Sequence, residues 1–270
     1  MAAQMMARRG RASATPAAGL RSLQPHPPLI AAVHSEASRN RSTLTLRDAL
    51  EAADWMQSLP QEARERILFD AHESYFREGE VVARKGEPAH SWIGVAEGLL
   101  KISAVYRTGK VVMFTGVPEG SWIGEGSVIK RELRRYDILA MRPTRVIHVP
   151  GSTFRWLLDV SIEFNHAVIA RLNERLAQYI GLMEIDRLSD PVARVARCIG
   201  TLYNPILSPR LGPALHLSHT ELGEMIGMSR KGVSTALRQL ESEGLVHAQY
   251  GTVSVRNLPR LVNYEERDRG

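Results

Sequence analysis

The chain has 270 residues, 44% of them hydrophobic and 24% charged, a composition typical of a globular protein long enough for two domains. No apolar run reaches the roughly 18 residues that a membrane-spanning helix needs, and the single cysteine, Cys198, excludes an internal disulfide or a multi-cysteine metal site and suits a reducing cytoplasm. The formal net charge of +6 comes from residues 1–47, which hold seven arginines and one glutamate, so nucleic-acid binding has to be argued from local patterns.

The first part of the chain is predicted to be a disordered basic extension followed by helix. Residues 1–45 are rich in Ala, Arg, Pro and Ser and show no sustained apolar period. From Asp48 to about Asp70 apolar residues recur at helical spacing, and Pro60 interrupts the pattern. We therefore expect ordered structure to begin near residue 46.

Between residues 80 and 149, short runs rich in β-branched residues alternate with glycines. Short strands at near-regular spacing with turn residues between them are typical of an antiparallel sandwich or barrel. This part of the chain is therefore predicted to be all β. The predicted strands are 80–83, 92–95, 99–105, 111–114, 138–140 and 146–149.

After Pro150 the apolar residues follow a heptad-like period, which predicts a long helix ending near Leu188. A stripe sustained over three heptads favours two helices that pack against each other. The alternative, one helix that buries the stripe against its own domain, stays open. Pro191 then begins a new helix, with Asp190 as its cap. The candidate dimer-interface residues are Ile162, Ile169, Leu172, Leu176, Tyr179 and Met183.

Residues 218–244 carry the strongest local signal in the sequence. Ser218 and Glu221 form a capping-box pattern at the start of a short helix. Gly227 permits a tight turn, and Ser229 is placed to cap a second short helix. Two short helices joined by a glycine turn have the spacing of a helix-turn-helix, and the β-hairpin predicted at 245–255 would be a wing.

The outward side of the second helix distinguishes a DNA reader from a generic helical hairpin. Arg230 and Lys231 lie at its start and are candidates for guanine contacts, with Ser234 and Thr235 beside them. Arg238 is expected to hold a phosphate. The alternative is an ordinary solvated charged face. The candidate DNA-binding residues are Ser229, Arg230, Lys231, Ser234, Thr235 and Arg238.

From about Leu46 to Leu261 the chain resembles the Crp/Fnr superfamily of bacterial transcription regulators. The resemblance rests on the glycine-spaced β region, on the long helix ending in Asp190-Pro191, and on two further segments. These segments are Gly120-Ser121-Trp122-Ile123-Gly124-Glu125 and Leu222-Gly223-Glu224-Met225-Ile226-Gly227-Met228-Ser229-Arg230. The ordered combination is specific, whereas each piece alone would be weak.

The resemblance implies an α+β fold: an antiparallel β-roll sensor domain, a long dimerisation helix and a winged helix-turn-helix. It also implies a cytoplasmic homodimer that binds a palindromic site on double-stranded DNA, with RNA polymerase as a candidate partner and no membrane association. The corresponding ranges are 1–45 for the extension, 46–152 for the β-roll, 153–188 for the dimerisation helix, 189–262 for the DNA-binding domain and 263–270 for a tail.

In nucleotide-sensing members of the superfamily, a Gly-Glu pair binds the ribose hydroxyl and an Arg followed by Ser or Thr binds the cyclic phosphate. Gly124 and Glu125 match the first element. At the second element Arg134 and Arg135 are present, but no small hydroxyl residue follows, and Tyr136 is bulky. A cyclic nucleotide is therefore a candidate effector for which half of the pocket motif is matched.

The resemblance leaves several alternatives. An iron–sulfur sensor is excluded because it needs a cluster of cysteines, whereas His72, His90 and His148 leave haem open. In the recognition helix, Lys231 replaces the superfamily's Glu and Thr235 its second Arg, so the half-site is expected to differ. The main rival function is a constitutive DNA-binding regulator whose β-roll has lost nucleotide binding. A nucleotide-binding module without DNA activity and an enzyme are weaker alternatives, because the helix-turn-helix is intact and no complete catalytic motif is present.

Overall fold

A computed structural model describes residues 45–106, 111–249 and 251–265, and three short helices begin the first of these ranges. Thr45 caps the first helix through a capping box with Asp48. Pro60 precedes the third helix, so the predicted helical stretch is divided into pieces. The predicted extension lies outside the described residues apart from residue 45, and so do residues 266–270 of the predicted tail, whereas Tyr264 of that tail packs in the C-terminal core. The helices are α1 (Leu46–Glu51), α2 (Asp54–Gln57) and α3 (Gln61–Asp70).

Eight strands follow and form two antiparallel four-stranded sheets, with orders β1-β8-β3-β6 and β2-β7-β4-β5. All six predicted strands are confirmed. Apolar side chains of both sheets, among them Ile93, Ile102 and Val146, meet in one buried core. The strands are β1 (His72–Phe76), β2 (Val81–Ala83), β3 (Ser91–Glu97), β4 (Leu99–Val105), β5 (Val111–Pro118), β6 (Trp122–Ile123), β7 (Asp137–Ala140) and β8 (Thr144–Pro150).

The prediction that this region is all β is wrong at one place, because α4 (Glu125–Lys130) lies between β6 and β7. Gly124 precedes α4 with φ +92°, a conformation that glycine adopts without strain and that turns the chain from strand into helix. β1 and β6 were not predicted. β1 carries polar residues on both faces, and β6 has two residues, so neither gives a readable period.

The outer face of the first sheet packs against the flanking helices through an aromatic cluster, which fixes α6 (Ile162–Arg187) on the β-roll. Ring centroids in the cluster lie between 4.5 and 5.9 Å apart, within the range of favourable edge and tilted contacts. The cluster consists of Trp55, Trp92, Trp122, Phe154 and Phe164.

The predicted single helix over 153–188 is two helices, α5 (Gly151–Val160) and α6. Ser161 separates them and caps α6 by accepting a hydrogen bond from the backbone of Phe164. Asn165 donates from its side chain to the carbonyls of Leu158 and Ser161, which explains why a polar residue interrupts the apolar stripe there.

The remaining elements form a winged helix-turn-helix, as predicted. The capping box of Ser218 and Glu221 is present, and Gly227 has φ +65° at the turn. A side chain at Gly223 would place its Cβ 2.4 Å from the carbonyl oxygen of Met228, so glycine is what lets the two helices meet closely. The elements are α7 (Pro191–Leu202), β9 (Ala214–Leu215), α8 (His219–Ile226), α9 (Arg230–Ser242), β10 (Val246–Gln249), β11 (Thr252–Val255) and α10 (Leu258–Val262).

Candidate DNA interface, dimer face and effector pocket

Helix α9 has one buried face and one charged, exposed face. Val233, Ala236, Leu237 and Leu240 are buried against α7 and α8. Ser229 caps the helix by accepting from the backbone of Gly232 at 3.1 Å. On the opposite side Ser234 is half-buried, and the other candidate DNA contacts are exposed. The exposed candidates are Ser229, Arg230, Lys231, Thr235 and Arg238.

The exposed face of α9 is positively charged along its first two turns. Arg238 donates to the carbonyl of Ser234 at 3.4 Å and to the hydroxyl of Thr235 at 3.2 Å, so its side chain lies back along the helix. A cleft of about 620 Å³ separates the start of α7 from α9, and Lys231 is among its lining residues. The cation of Lys231 and the hydroxyl groups of Ser229 and Thr235 line this open cleft, an arrangement that suits a phosphate backbone.

The wing is held against α9 by two hydrogen bonds to one carboxylate. The carboxylate of Glu241 accepts from His247 of β10 at 2.7 Å and from the backbone of Ala248 at 3.2 Å. These hydrogen bonds lower the pKa of Glu241. The first acidic residue of α9 is therefore occupied by the wing and does not oppose the basic reading face.

The apolar stripe of α6 is exposed in the described chain. Phe164, Val168 and Ile185 are buried on the inner side of this helix, while Leu176 is 60% and Met183 60% exposed on the outer side. The stripe is thus not buried against its own domain. Ile180, 59% exposed, belongs to the same face, although it lies outside the seven-residue spacing that relates the predicted members. Tyr179 is half-buried at the edge. Exposed members are Ile162, Ile169, Leu172, Leu176, Ile180 and Met183.

The candidate effector pocket holds two buried charged side chains that each retain an unpaired polar atom. Glu125 is 3% and Arg134 5% exposed. Glu125 Oε2 and Arg134 Nη1 have no hydrogen-bond partner among the described residues, while Arg134 Nη2 donates to the carbonyl of Ser91 at 2.9 Å. Arg134 Nη1 lies close to Gly124, since a Cβ at Gly124 would be 2.8 Å from it. A ligand offering a donor and an anionic group would satisfy both atoms.

The neighbouring Arg135 faces away from this pocket. Its guanidinium forms a two-fold hydrogen bond with Glu132, at 2.9 Å for each contact, on the surface. Because alternate residues of a strand-like segment point to opposite sides, Arg134 and Tyr136 face inward while Arg135 faces solvent. Of the two predicted arginines, the structure brings one, Arg134, next to Gly124, the residue that precedes Glu125.

Arg175, which the resemblance did not place, also binds Glu125, and Tyr136 lies near it. Arg175 of α6 donates to Glu125 Oε1 at 3.3 Å and to the carbonyl of Trp122 at 2.9 Å. Tyr136 packs on the inner core, and burial together with the negative charge of Glu125 raises its pKa to about 12. The sequence gives no local signal for Arg175, because it lies 50 positions from Glu125.

Two of the three histidines considered for haem, His72 and His148, lie side by side. The rings of His72 and His148 stack at 4.9 Å, and Ser91 bonds the Nδ1 atom of His148 at 3.0 Å. Burial lowers the pKa of His148 to about 4. Within the described ranges no group of three or more His, Cys, Asp or Glu is placed to hold a metal ion. No helix in those ranges is long and apolar enough to cross a membrane.

Two domain families match the chain. Residues 73–161 match the cyclic nucleotide-binding domain, and residues 193–264 match the Crp-like helix-turn-helix domain. Between them the two matches include the β-roll with the pocket and the winged helix-turn-helix with α9. Neither match includes α6, which carries the apolar stripe.

Characterised relatives and solved structures agree with these matches. The chain is 27% identical to the cyclic AMP receptor protein of Thermus thermophilus over 70% of its length and 88% of the relative's. It is 27% identical to the cAMP-activated global transcriptional regulator CRP of Pasteurella multocida, over 46% of its length and 60% of the relative's. FixK2 of Bradyrhizobium japonicum has the same fold, with a TM-score of 0.61 at 20% identity, covering 73% of this chain and 98% of that one.

Proposed function

We propose that this chain, which belongs to the Crp/Fnr superfamily of transcription regulators, is a homodimer that binds a palindromic DNA site and is controlled through its β-roll. The observation that carries the proposal is α9, whose apolar side is buried while Arg230, Lys231 and Thr235 are exposed together. Superfamily members are transcription regulators rather than enzymes, and we propose no catalytic step.

The DNA-binding part of the proposal follows from where α9 is held. Its cap, its buried side and the hydrogen bond of Glu241 with His247 hold the helix against the rest of the domain. Arg230 and Lys231, at the start of the helix, therefore extend together into solvent, as contact with base edges by a recognition helix requires. Arg230 is the candidate for a bidentate guanine contact.

The homodimer follows from the exposed stripe of α6. Six large apolar side chains on one face of a 26-residue helix are costly to leave in water. A two-fold axis along this stripe would pair the same face of two copies. It would also present two copies of α9, so the site would be an inverted repeat.

Selection from a pool of random double-stranded DNA tests the proposed function. The purified chain is mixed with the pool, the bound fragments are recovered and amplified, and the cycle is repeated before sequencing. We expect one motif to be enriched because Arg230 and its neighbours contact base edges. Recovery of a pool with no enriched motif would contradict sequence-specific binding.

The effector part of the proposal rests on the unpaired atoms of Glu125 and Arg134. Buried charged groups are normally fully hydrogen-bonded, so this pocket fits a polar ligand that carries a negative charge. The rival function, constitutive DNA binding, is favoured by a specific observation as well. Arg175 already binds one oxygen of Glu125, and Tyr136 stands where the superfamily has a small residue.

We expect Tyr136→Ala to raise the affinity for cyclic AMP by at least about tenfold, equivalent to ~1.4 kcal/mol. Removal of the ring opens space between Glu125 and Arg134 without removing a polar partner of either. Isothermal titration of wild type and variant measures the effect, and Glu125→Gln added to Tyr136→Ala should abolish the gain. Equal affinity of wild type and Tyr136→Ala would show that Tyr136 does not limit the pocket.

The same titration repeated on the DNA complex separates regulation from constitutive binding. A regulated protein changes its DNA affinity when the pocket is filled, whereas a constitutive one keeps the same affinity with every nucleotide tested. We further propose a cytoplasmic location and RNA polymerase as a partner at the promoter, both on the basis of the superfamily alone.

A further inference from the structure

The segment between α7 and β9, residues 203–213, leaves the helix-turn-helix and lies against α6. We call this segment the strap. Asn204 donates from its side-chain amide to the carboxylate of Glu174 at 2.7 Å. The guanidinium of Arg171 donates to the carbonyl of Ile206 at 2.9 Å. Two side chains one turn apart on α6 therefore bind the same short segment of the DNA-binding domain.

The strap has a defined conformation where it meets α6. The side-chain oxygen of Asn204 accepts from the backbone of Ile206 and of Leu207, both at 2.9 Å. Leu207 is buried. Arg171 is also buried, and the carbonyl of Ile206 accepts a hydrogen bond from its guanidinium. A buried cation is costly without such partners. Separation of the strap from α6 would thus expose the side chain of Leu207 and remove a hydrogen-bond partner of the buried guanidinium of Arg171.

The far end of the strap contacts the segment that leads into the effector pocket. The side chain of Arg210 lies over Gly120, where an added Cβ would be 2.9 Å from Arg210 Cγ and Cδ. Arg210 also lies 3.9 Å from the carboxylate of Glu119. Pro209 and Arg210 together face Trp122 across a small gap.

Trp122 connects this contact to the pocket. Its carbonyl accepts from Arg175, and the same guanidinium binds Glu125. Arg175 lies one turn along α6 from Arg171, which holds the middle of the strap. The strap and the pocket are therefore bound by two arginines one turn apart on α6, Arg171 and Arg175, and the far end of the strap lies against the segment that precedes Trp122.

We propose that the strap is the element that sets the orientation of the DNA-binding domain and couples it to the β-roll pocket, with the docked strap corresponding to the DNA-binding state. The inference rests on the proposed function. In the docked arrangement the reading face of α9 and the apolar stripe of α6 are both exposed, so docking obstructs neither DNA nor a second copy. A fixed orientation also lowers the entropy lost when two reading heads bind one site.

The test compares Glu174→Ala combined with Arg210→Ala against wild type. The two substitutions remove one contact at each end of the strap and touch neither α9 nor the α6 stripe. We expect the affinity for the selected DNA motif to fall by about tenfold, as the docked population falls by a similar factor. Faster hydrogen exchange of the backbone amides of Ile206 and Leu207 should accompany the loss. Glu78→Ala, an exposed substitution of the same type on the β-roll, is the control and should change neither quantity.

The outcomes distinguish the strap from the proposed function. If wild type selects no motif, the proposed function fails. Hydrogen exchange at Ile206 and Leu207 then still tests whether the strap is docked on α6. If wild type selects a motif and the double variant exchanges faster but binds that motif with unchanged or higher affinity, the docked strap is not the DNA-binding state. If exchange at Ile206 and Leu207 is fast in wild type, the strap is not docked and the inference is wrong.

Discussion

Replacement of Arg230 by alanine is expected to abolish sequence-specific DNA binding. Arg230 is exposed at the start of α9, where side chains of a recognition helix reach base edges. A bidentate arginine–guanine contact discriminates by about 1–3 kcal/mol, so two copies in a dimer would lose about 2–6 kcal/mol of specificity. Titration of the selected motif and of random DNA with wild type and variant measures the loss.

Arg238→Ala is the matched comparison on the same helix. Arg238 lies two turns further along and is held back against Thr235, so we expect it to meet a phosphate rather than a base. Its loss should weaken binding to the motif and to random DNA by similar factors, and lower the salt dependence by about one ion per subunit. An equal loss on both DNAs for Arg230→Ala as well would show that Arg230 does not read sequence.

Leu176→Glu is expected to convert the protein from dimer to monomer. Leu176 lies at the centre of the exposed stripe, and a two-fold axis would bring two introduced carboxylates close together in an apolar interface. Since two linked reading heads bind about 10²–10⁴ times more tightly than one, DNA affinity should fall by a factor in that range. Sedimentation equilibrium and DNA titration measure the two effects.

Ala177→Glu provides the control for the dimer prediction. It introduces the same charge into the same helix one position along, about 100° around the axis and away from the centre of the stripe. Both positions are exposed, so neither variant should unfold the chain. Dimerisation that survives Leu176→Glu would show that the stripe is not the interface.

Local chemistry explains why the helix-turn-helix could be predicted in detail from the sequence. Ser218, Glu221, Gly227 and Ser229 each act within a few residues of their own position, and the structure shows the expected cap or turn at every one. The prediction of the long helix was less complete. Its stripe follows from heptad spacing, but the break at Ser161 depends on a side-chain cap that an apolar period does not reveal.

The pocket could be predicted only in part because its contacts join distant positions. Gly124 and Glu125 are adjacent and follow from the resemblance, whereas the ion pair of Glu125 with Arg175 depends on how α6 packs on the β-roll. The sequence does not distinguish Arg134 from Arg135 as pocket residues. In the structure Arg134 is buried in the pocket, whereas Arg135 pairs with Glu132 on the surface. The strap depends on the same tertiary packing, so no local pattern indicated it.

The most direct test of a dimer that reads DNA through α9 is the symmetry of the motif recovered from random double-stranded DNA. Two recognition helices related by a two-fold axis enter successive major grooves about 34 Å apart. The expected result is an inverted repeat whose half-site centres are about 10 base pairs apart, or a multiple of that spacing. A single asymmetric half-site, or two half-sites in direct repeat, would contradict the proposed arrangement.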